Sequence, residues 1–163
     1  MNIKVRSAEE KDIDRILEID SASFSHPWSR DTFLADMDDD LKALWVAEAD
    51  GTVAGYLDAF VMTTVDGEVL RIATHPDFRK QKIAHNLLNF MLCYCNLIAS
   101  PKILLEVRED NAPAIALYKS FDFTEDGRRT KYYDNTTDAI LMSRVVSIET
   151  RNLQLDIEDG LYD

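Results

Sequence analysis

The sequence predicts one domain of mixed α/β class, a sheet with helices on its faces, and three observations carry that prediction. Strand-like and helix-like segments alternate in the order β, α, α, β, β, β, α, β, α, β, β, the pattern of a sheet with crossover helices. The 163 residues are 46% hydrophobic, enough to bury one ordinary core. No repeat, low-complexity segment or Gly/Ser/Pro-rich linker divides the chain.

Residues 2–6 read as a short strand. Ser7-Ala8-Glu9-Glu10 fits a capping box, with Ser7 accepting from the first turn and Glu10 reaching back. The helix that follows carries Ile13, Ile16, Leu17 and Asp20 on one stripe to about Ser21. A second helix starts near Ser29, after Pro27-Trp28, and presents Phe33, Leu34 and Met37. Asp38-Asp39-Asp40 ends it as a solvated loop. Three strands come next, at 41–48, 52–62 and 68–74. The turns between them are expected at Asp50-Gly51 and Asp66-Gly67, the two best hairpin signals in the chain. A long helix over 82–98 shows Ile83, Leu87, Met91, Cys95 and Ile98 at helical spacing, and Ser100-Pro101 breaks it. Residues 102–107 form a strand, and Pro113 suits the first turn of a short helix through Ser120. The last strands, 123–133 and 138–146, pair across 134–137. The domain is thus expected to span 1–147, leaving an acidic, weakly amphipathic tail at 148–163.

Charge and cysteine usage narrow the setting. The net charge of −12 argues against nucleic acid or an anionic membrane as the main partner, although it would suit a cationic peptide. The apolar runs fall far short of the ~20 residues that cross a bilayer. Met1 to Arg6 has no apolar h-region, so no signal peptide is expected and the protein reads as cytoplasmic. Cys93 and Cys95 lie roughly 200° apart on a helix, which disfavours a disulfide or a shared metal and leaves buried thiols. His26, His75 and His85 form no ligand spacing with them, so no metal is expected.

The most informative stretch runs from Ile72-Ala73-Thr74 through His75-Pro76-Asp77-Phe78 to Arg79-Lys80-Gln81-Lys82-Ile83-Ala84-His85. A strand ends, a basic turn follows and a helix begins. The first amides of a helix lack internal partners and the helix dipole adds positive charge, so this is an anion site or a basic helix start without a ligand. Arg79-x-x-Lys82-x-Ala84 resembles the pyrophosphate turn of the GNAT superfamily, Gln/Arg-x-x-Gly-x-Gly/Ala, with lysine in place of the central glycine. The resemblance implies a GNAT fold: a mixed, mostly antiparallel seven-stranded sheet with helices on both faces and a splayed central strand pair holding coenzyme A. It also implies that amides from Lys80, Gln81, Lys82, Ile83, Ala84 and His85 hold the pyrophosphate beside Arg79. Backbone groups of Ile72, Ala73 and Thr74 would pair with the pantetheine arm. Lys82 is expected to keep an ordinary helical backbone, its amide still donating and its ammonium replacing what the glycine gave.

Acyl transfer from a thioester to an amine needs a neutral attacking nitrogen and a protonated leaving thiolate. An α-amine, with an unperturbed pKa of about 8, must therefore pass a proton to a base. Glu106, at the end of the strand 102–107, could be that base or a charged residue at a strand edge. Tyr118, on the short helix, reads from the residues alone as half-buried packing. Leu105-Glu106-Val107-Arg108, then Asn111, then Ala114-Ile115-Ala116-Leu117-Tyr118, is similar to the bacterial ribosomal-protein-alanine N-acetyltransferases, the RimI group. That similarity implies Glu106 as proton acceptor, Tyr118 as the acid for the thiolate and Asn111 as a coenzyme contact. It spans most of residues 2–146, including 24–29, Thr32-Phe33, Arg129 with Tyr132-Tyr133, and Asp138-Ala139-Ile140-Leu141-Met142. Tyr132 and Tyr133 would help hold the acceptor's first residues, or form a cross-strand aromatic pair. Trp28 would wall the same pocket or simply pack. Phe121-Asp122-Phe123 departs from the family's central glycine, and Asp tolerates the left-handed backbone that the turn needs.

The resulting expectation is a monomeric N-acetyltransferase using acetyl-CoA without metal, its acceptor the N-terminal alanine of a small-subunit ribosomal protein. The rival readings are a GNAT enzyme acting on a small amine or a lysine side chain, and a non-catalytic coenzyme-A-binding module. Truncation after Ser147 is expected to leave the thermal midpoint nearly unchanged. A large loss of stability would show that the tail packs on the core.

Overall fold

The computed structural model describes residues 1–146; the expected tail at 148–163 lies outside the described residues. Seven strands form one sheet: β1 (Ile3–Ser7), β2 (Lys42–Ala49), β3 (Thr52–Met62), β4 (Val65–Thr74), β5 (Lys102–Arg108), β6 (Thr124–Tyr133) and β7 (Thr137–Val145). Their spatial order is β1-β2-β3-β4-β5-β7-β6. Each neighbouring pair is antiparallel except β4–β5, whose parallel pairing requires a crossover. Helix α3 (Ile83–Leu97) supplies it. The expected mixed, mostly antiparallel sheet is the one that forms.

Helices cover both faces because their apolar stripes match the alternation of the strands. On one face, Ile13, Ile16 and Ile19 of α1 (Ile13–Ser23) and Phe33 of α2 (Arg30–Asp38) meet Leu44, Val46 and Tyr56. On the other, Leu87, Met91 and Cys95 of α3 meet Leu57, Val69 and Leu105, joined by Tyr118 of α4 (Ala112–Ser120). Each fully buried aliphatic side chain contributes about 1.5–3 kcal/mol. Ile103, Leu105 and Val107 are buried toward α3, so Leu104 and Glu106 project to the opposite face. Cys93 and Cys95 are both buried on α3, and burial pushes their thiols up to about 11 and about 12.

Two local expectations are corrected. Ser7 does not cap α1: it is the last residue of β1 and pairs with Trp45. Instead, the N–H of Glu9 donates to Asp12 Oδ2 at 2.8 Å, and a short 3-10 turn over Glu10–Asp12 leads into α1. Asp12 takes this role because Arg6 fixes its carboxylate with two hydrogen bonds of 2.7 and 2.9 Å, whereas Glu10 is exposed. The second correction concerns the β3–β4 turn, which falls at Thr63-Thr64 and not at Asp66-Gly67. Met62 pairs with Val65 across it, and Thr64 takes a left-handed φ of 66°. Gly67 serves packing instead, since a Cβ there would stand 3.2 Å from Cys95 Sγ and 3.4 Å from Met91 Cε. The Asp50-Gly51 turn forms as expected, with φ of 50° and 87°.

The feature that positions the site is a parting of two strands. β4 and β5 pair only over Gly67↔Ile103, Glu68↔Leu104 and Val69↔Leu105. Beyond that point β4 continues to Thr74 against β3, and β5 to Arg108 against β7. Each therefore turns one backbone edge toward the gap between them.

Gly55 brings the start of α3 close to this gap. A Cβ at Gly55 would lie 2.6 Å from Ile83 Cγ2 and 2.8 Å from the carbonyl oxygen of Ala73. Gly55→Ala must displace the helix or bend the sheet, at an expected cost of ~1–3 kcal/mol, measured as a lowered thermal midpoint. An unchanged midpoint would refute the close packing.

Candidate active site

The open end of β4 leads into a 3-10 turn at Pro76–Phe78 and then into exposed Arg79, Lys80 and Gln81. Lys82 precedes α3 with φ 64° and ψ 23°, and Lys80 has φ 61°. The ordinary helical backbone expected at Lys82 is thus not found. Glycine enters the left-handed region freely, whereas another L-residue there costs roughly 1–2 kcal/mol. The first helical hydrogen bond runs from Asn86 N–H to the Lys82 carbonyl at 3.0 Å. The amides of Ile83, Ala84 and His85 therefore precede any acceptor within the helix and can bind an anion. The Ile83 side chain is buried against Gly55, so this residue can offer a ligand only its backbone. His85 leans on Phe121 at 4.8 Å between centroids, and burial, then the charge of Lys82, pushes its imidazole down.

Ile72, Ala73 and Thr74 pair with Leu57, Tyr56 and Gly55 on one edge, and their other edge faces the gap. Across the gap stands Glu106, whose Oε1 lies 3.1 Å from Arg129 Nη2. The Arg129 guanidinium sits 5.4 Å from the ring centroid of Tyr132, which is half exposed and meets Tyr133 edge-on at 5.1 Å. Tyr133 takes the Arg108 guanidinium at 5.1 Å from its ring centroid, and burial, then the Glu106 charge, raises its hydroxyl pKa. Tyr118 is only 5% exposed and packs against Phe123 at 5.8 Å. Burial, then Tyr133, pushes its hydroxyl far above the ordinary tyrosine range. Asn111 caps α4: its Oδ1 accepts from Ala114 N–H at 3.2 Å, which leaves Nδ2 for another partner. The turn at Phe121-Asp122-Phe123 forms with Asp122 at φ 64°, as its tolerance of this region predicts.

The opposite wall depends on residues that sequence reasoning did not select. Asp20 is wholly buried and accepts from the Tyr56 hydroxyl, from Arg71 Nε at 2.8 Å and Nη2 at 3.2 Å, and from Trp28 N–H at 2.8 Å. Arg71 also donates to the carbonyl of His26 at 3.0 Å and lies over the rings of Phe24 (3.7 Å) and Trp28 (4.7 Å). Trp28 packs on Phe33 as well, at 5.4 Å, so it is both a packing residue and part of this wall. The visible signal was a carboxylate, Asp20, on an apolar helical stripe. His26 Nε2 reaches Asp134 Oδ1 at 3.0 Å, linking the loop between α1 and α2 to the β6–β7 turn. The structure thus brings Glu106, Arg129, Tyr132 and Tyr133 together on one side and Trp28 on the other. Among the described residues, no three His, Cys, Asp or Glu side chains converge as metal ligands would, and no helix is long and apolar enough to cross a membrane.

Comparison with known proteins bears on the family and the fold. The family described as Acetyltransferase (GNAT) family matches residues 13–123. A Bacillus subtilis (strain 168) protein, provisionally named a ribosomal protein bS18-alanine N-acetyltransferase, is 35% identical over 140 residues, covering 85% of this chain and 92% of that protein. The crystal structure of the ribosomal-protein-S18-alanine N-acetyltransferase from Escherichia coli superposes with a TM-score of 0.82 at 28% identity, covering 94% of this chain and 100% of that one. The Salmonella typhimurium protein yncA, solved with its cofactor acetyl-CoA, shares the fold at a TM-score of 0.77 and 18% identity, covering 90% of this chain and 95% of that one.

The left-handed backbone at Lys82 makes a direct prediction. Lys82→Gly is expected to stabilise the protein by about 1 kcal/mol, raising the thermal midpoint. A lowered midpoint would show that the lysine side chain contributes more than its backbone costs.

Proposed function

The chain belongs to the GNAT acetyltransferase family, and from that premise we propose that it transfers acetyl from acetyl-CoA to the α-amine of a protein N-terminus. The acceptor in this reading is the N-terminal alanine of a small-subunit ribosomal protein. Residues 1–147 carry the activity, as a cytoplasmic monomer with neither nucleic acid nor membrane as partner. The observation that carries the reading is the parting of β4 from β5, with helix amides at its end and Glu106 across it. The names of the bS18-directed relatives support the acceptor.

The residues fit the cosubstrate. The amides from Lys80 to His85, with the charges of Arg79, Lys80 and Lys82, suit a pyrophosphate. The open backbone edge of Ile72, Ala73 and Thr74 suits the amide groups of a pantetheine arm, and Asn111 Nδ2 offers a further donor. Bound acetyl-CoA supplies an activated acyl group as a thioester. Glu106 accepts a proton from the arriving amine, directly or through water, so that the nitrogen attacks as a neutral nucleophile. Arg129 must share Glu106 with the substrate for this to occur. Tyr118, protonated across the neutral range as an ordinary tyrosine is and held further that way by burial, keeps its proton for the departing sulfur. Tyr132, Tyr133 and Trp28 bracket the acceptor's first residues.

A peptide with a free N-terminal alanine should be acetylated, and the same peptide blocked at its N-terminus but carrying an internal lysine should not, as read by mass spectrometry. Equal labelling would favour the lysine-directed reading. In the same assay, Glu106→Gln and Tyr118→Phe should each lower kcat by ~10²–10⁴ while acetyl-CoA binding is retained. Wild-type turnover in both variants would remove the assigned roles.

A further inference from the structure

We infer that Asp36 and Asp58 share one proton and, with Lys42, form a latch that seats α2 on the sheet and releases it when that proton is lost. The latch lies apart from the residues assigned to coenzyme and acceptor. Only its effect on the acceptor wall rests on the function proposed above.

Two carboxyl groups are buried at one place. Asp58 of β3 has no solvent exposure, and Asp36 of α2 is only 5% exposed. Asp36 follows Phe33 by three residues, so both lie on the buried face of α2. Asp58 stands opposite Leu44 of β2, which packs with Phe33, so Asp58 projects to that same face. Among the described residues, no well-formed hydrogen bond from an N–H or O–H reaches either Asp58 oxygen. What meets Asp58 is the carboxyl of Asp36. Lys42 of β2 donates to Asp36 Oδ1 at 2.9 Å. The other charged neighbours bring no second cation. Arg71, opposite Asp58 on β4, is committed to Asp20 of α1, and Asp39 adds negative charge beside Lys42.

Two carboxylates and one ammonium leave the cluster one positive charge short, and burial makes that deficit costly. A proton between the carboxyls removes it: Asp58 donates its O–H to Asp36, which also accepts from Lys42. Burial, then Asp36, pushes the Asp58 carboxyl up to about 9, against Lys42 and the Ala59 amide. Burial also pushes Asp36 up, but the hydrogen bonds from Asp58 and Lys42 outweigh it and hold Asp36 below the ordinary carboxylate range. Lys42 lines an open cleft of about 250 Å³ with Met37, Leu44 and Tyr94, which gives the proton a route to solvent. Once it leaves, two buried anions face each other. β3 is held on both edges by β2 and β4, so α2 is the element that yields. Phe33 ties α2 to Trp28 at 5.4 Å and to Tyr56 at 5.5 Å, so the acceptor wall moves with it. The folded chain thus keeps a proton that the unfolded chain releases in the ordinary carboxylate range. The latch's contribution is complete below that range and is lost as pH rises through about 9.

Thermal midpoints of the full-length chain across pH test the latch, with Asp58→Asn as the variant whose amide donates to Asp36 at every pH. Its midpoint should pull ahead of wild type by about 3–5 °C per pH unit from the ordinary carboxylate range up to about pH 9. Parallel pH curves overturn the shared proton. Carbon-13 NMR of the wild type needs no variant: one aspartate carboxyl should remain protonated at neutral pH. That signal should be missing from Asp58→Asn, and a wild type with every aspartate ionised at neutral pH overturns the latch outright. The functional arm uses a peptide with a free N-terminal alanine at saturating acetyl-CoA. The ratio of wild-type to Asp58→Asn peptide KM should rise by up to about tenfold per pH unit above about pH 9, with the kcat ratio unchanged. A flat KM ratio beside diverging midpoints overturns the link from α2 to the acceptor wall. A wild type that acetylates no N-terminal amine at any pH overturns the proposed function instead, and the midpoints and NMR still decide the latch.

Discussion

The parting of β4 and β5 is the constraint on which the rest of the molecule depends. The two strands are parallel neighbours with no hairpin to hold them in register, and they share only three register pairs. Each is held more firmly by its other neighbour: β5 pairs with β7 along its whole length, and the open half of β4 pairs with β3. The backbone groups exposed in the gap must find partners in water or in a ligand, because a dry, unpaired amide or carbonyl is costly. The crossover helix α3 starts just beyond the open end of β4, so the amides at its N-terminus lie at that same end. The open backbone edge and the unpaired helix start, which carry the proposed coenzyme site, are thus two consequences of one topological fact.

Asp20 organises the opposite wall. A carboxylate with no solvent exposure persists there only because a hydroxyl, a guanidinium and a backbone amide all donate to it. Arg71 belongs to β4, so the strand that opens is tied by this network to the loop that faces the gap. Removing one partner would strand a buried charge at a cost of roughly 3–5 kcal/mol. By contrast, exposed pairs such as Arg30 with Asp14 or Arg128 with Glu125 contribute little, since water and salt screen them.

Strain collects beside the proposed pyrophosphate turn. Lys80 and Lys82 both adopt left-handed backbones that glycine would enter freely, and Lys82 does so at the very start of a helix. Such outliers persist when surrounding packing over-determines them. Here Ile83 is fixed beneath Gly55 on one side of the turn, and His75 N–H is fixed to the Ala54 carbonyl at 2.7 Å on the other. The lysines accept the conformation and bring positive charge to the same place.

What the sequence by itself determined follows from short-range periodicity. Alternating strands, the apolar stripe of α3, Pro113 at the first turn of α4 and Asp50-Gly51 at a hairpin each depend on neighbours within a few residues. The element order was therefore legible, whereas the roles proposed for Glu106, Asn111 and Tyr118 rest on the family resemblance and not on periodicity. Contacts between distant residues decided the rest. Asp12 displaced Ser7 and Glu10 at the first cap because Arg6 reached it from β1. Gly67 was taken into β4 because α3 needed room over it, which moved the turn to Thr63-Thr64. Asp20 became a buried hub only when Arg71, fifty-one residues later, folded against it. Asp58 met Asp36 only when α2 packed on the sheet. A charged side chain looks the same in sequence whether it faces water or a partner, and only tertiary structure brings the partner within range.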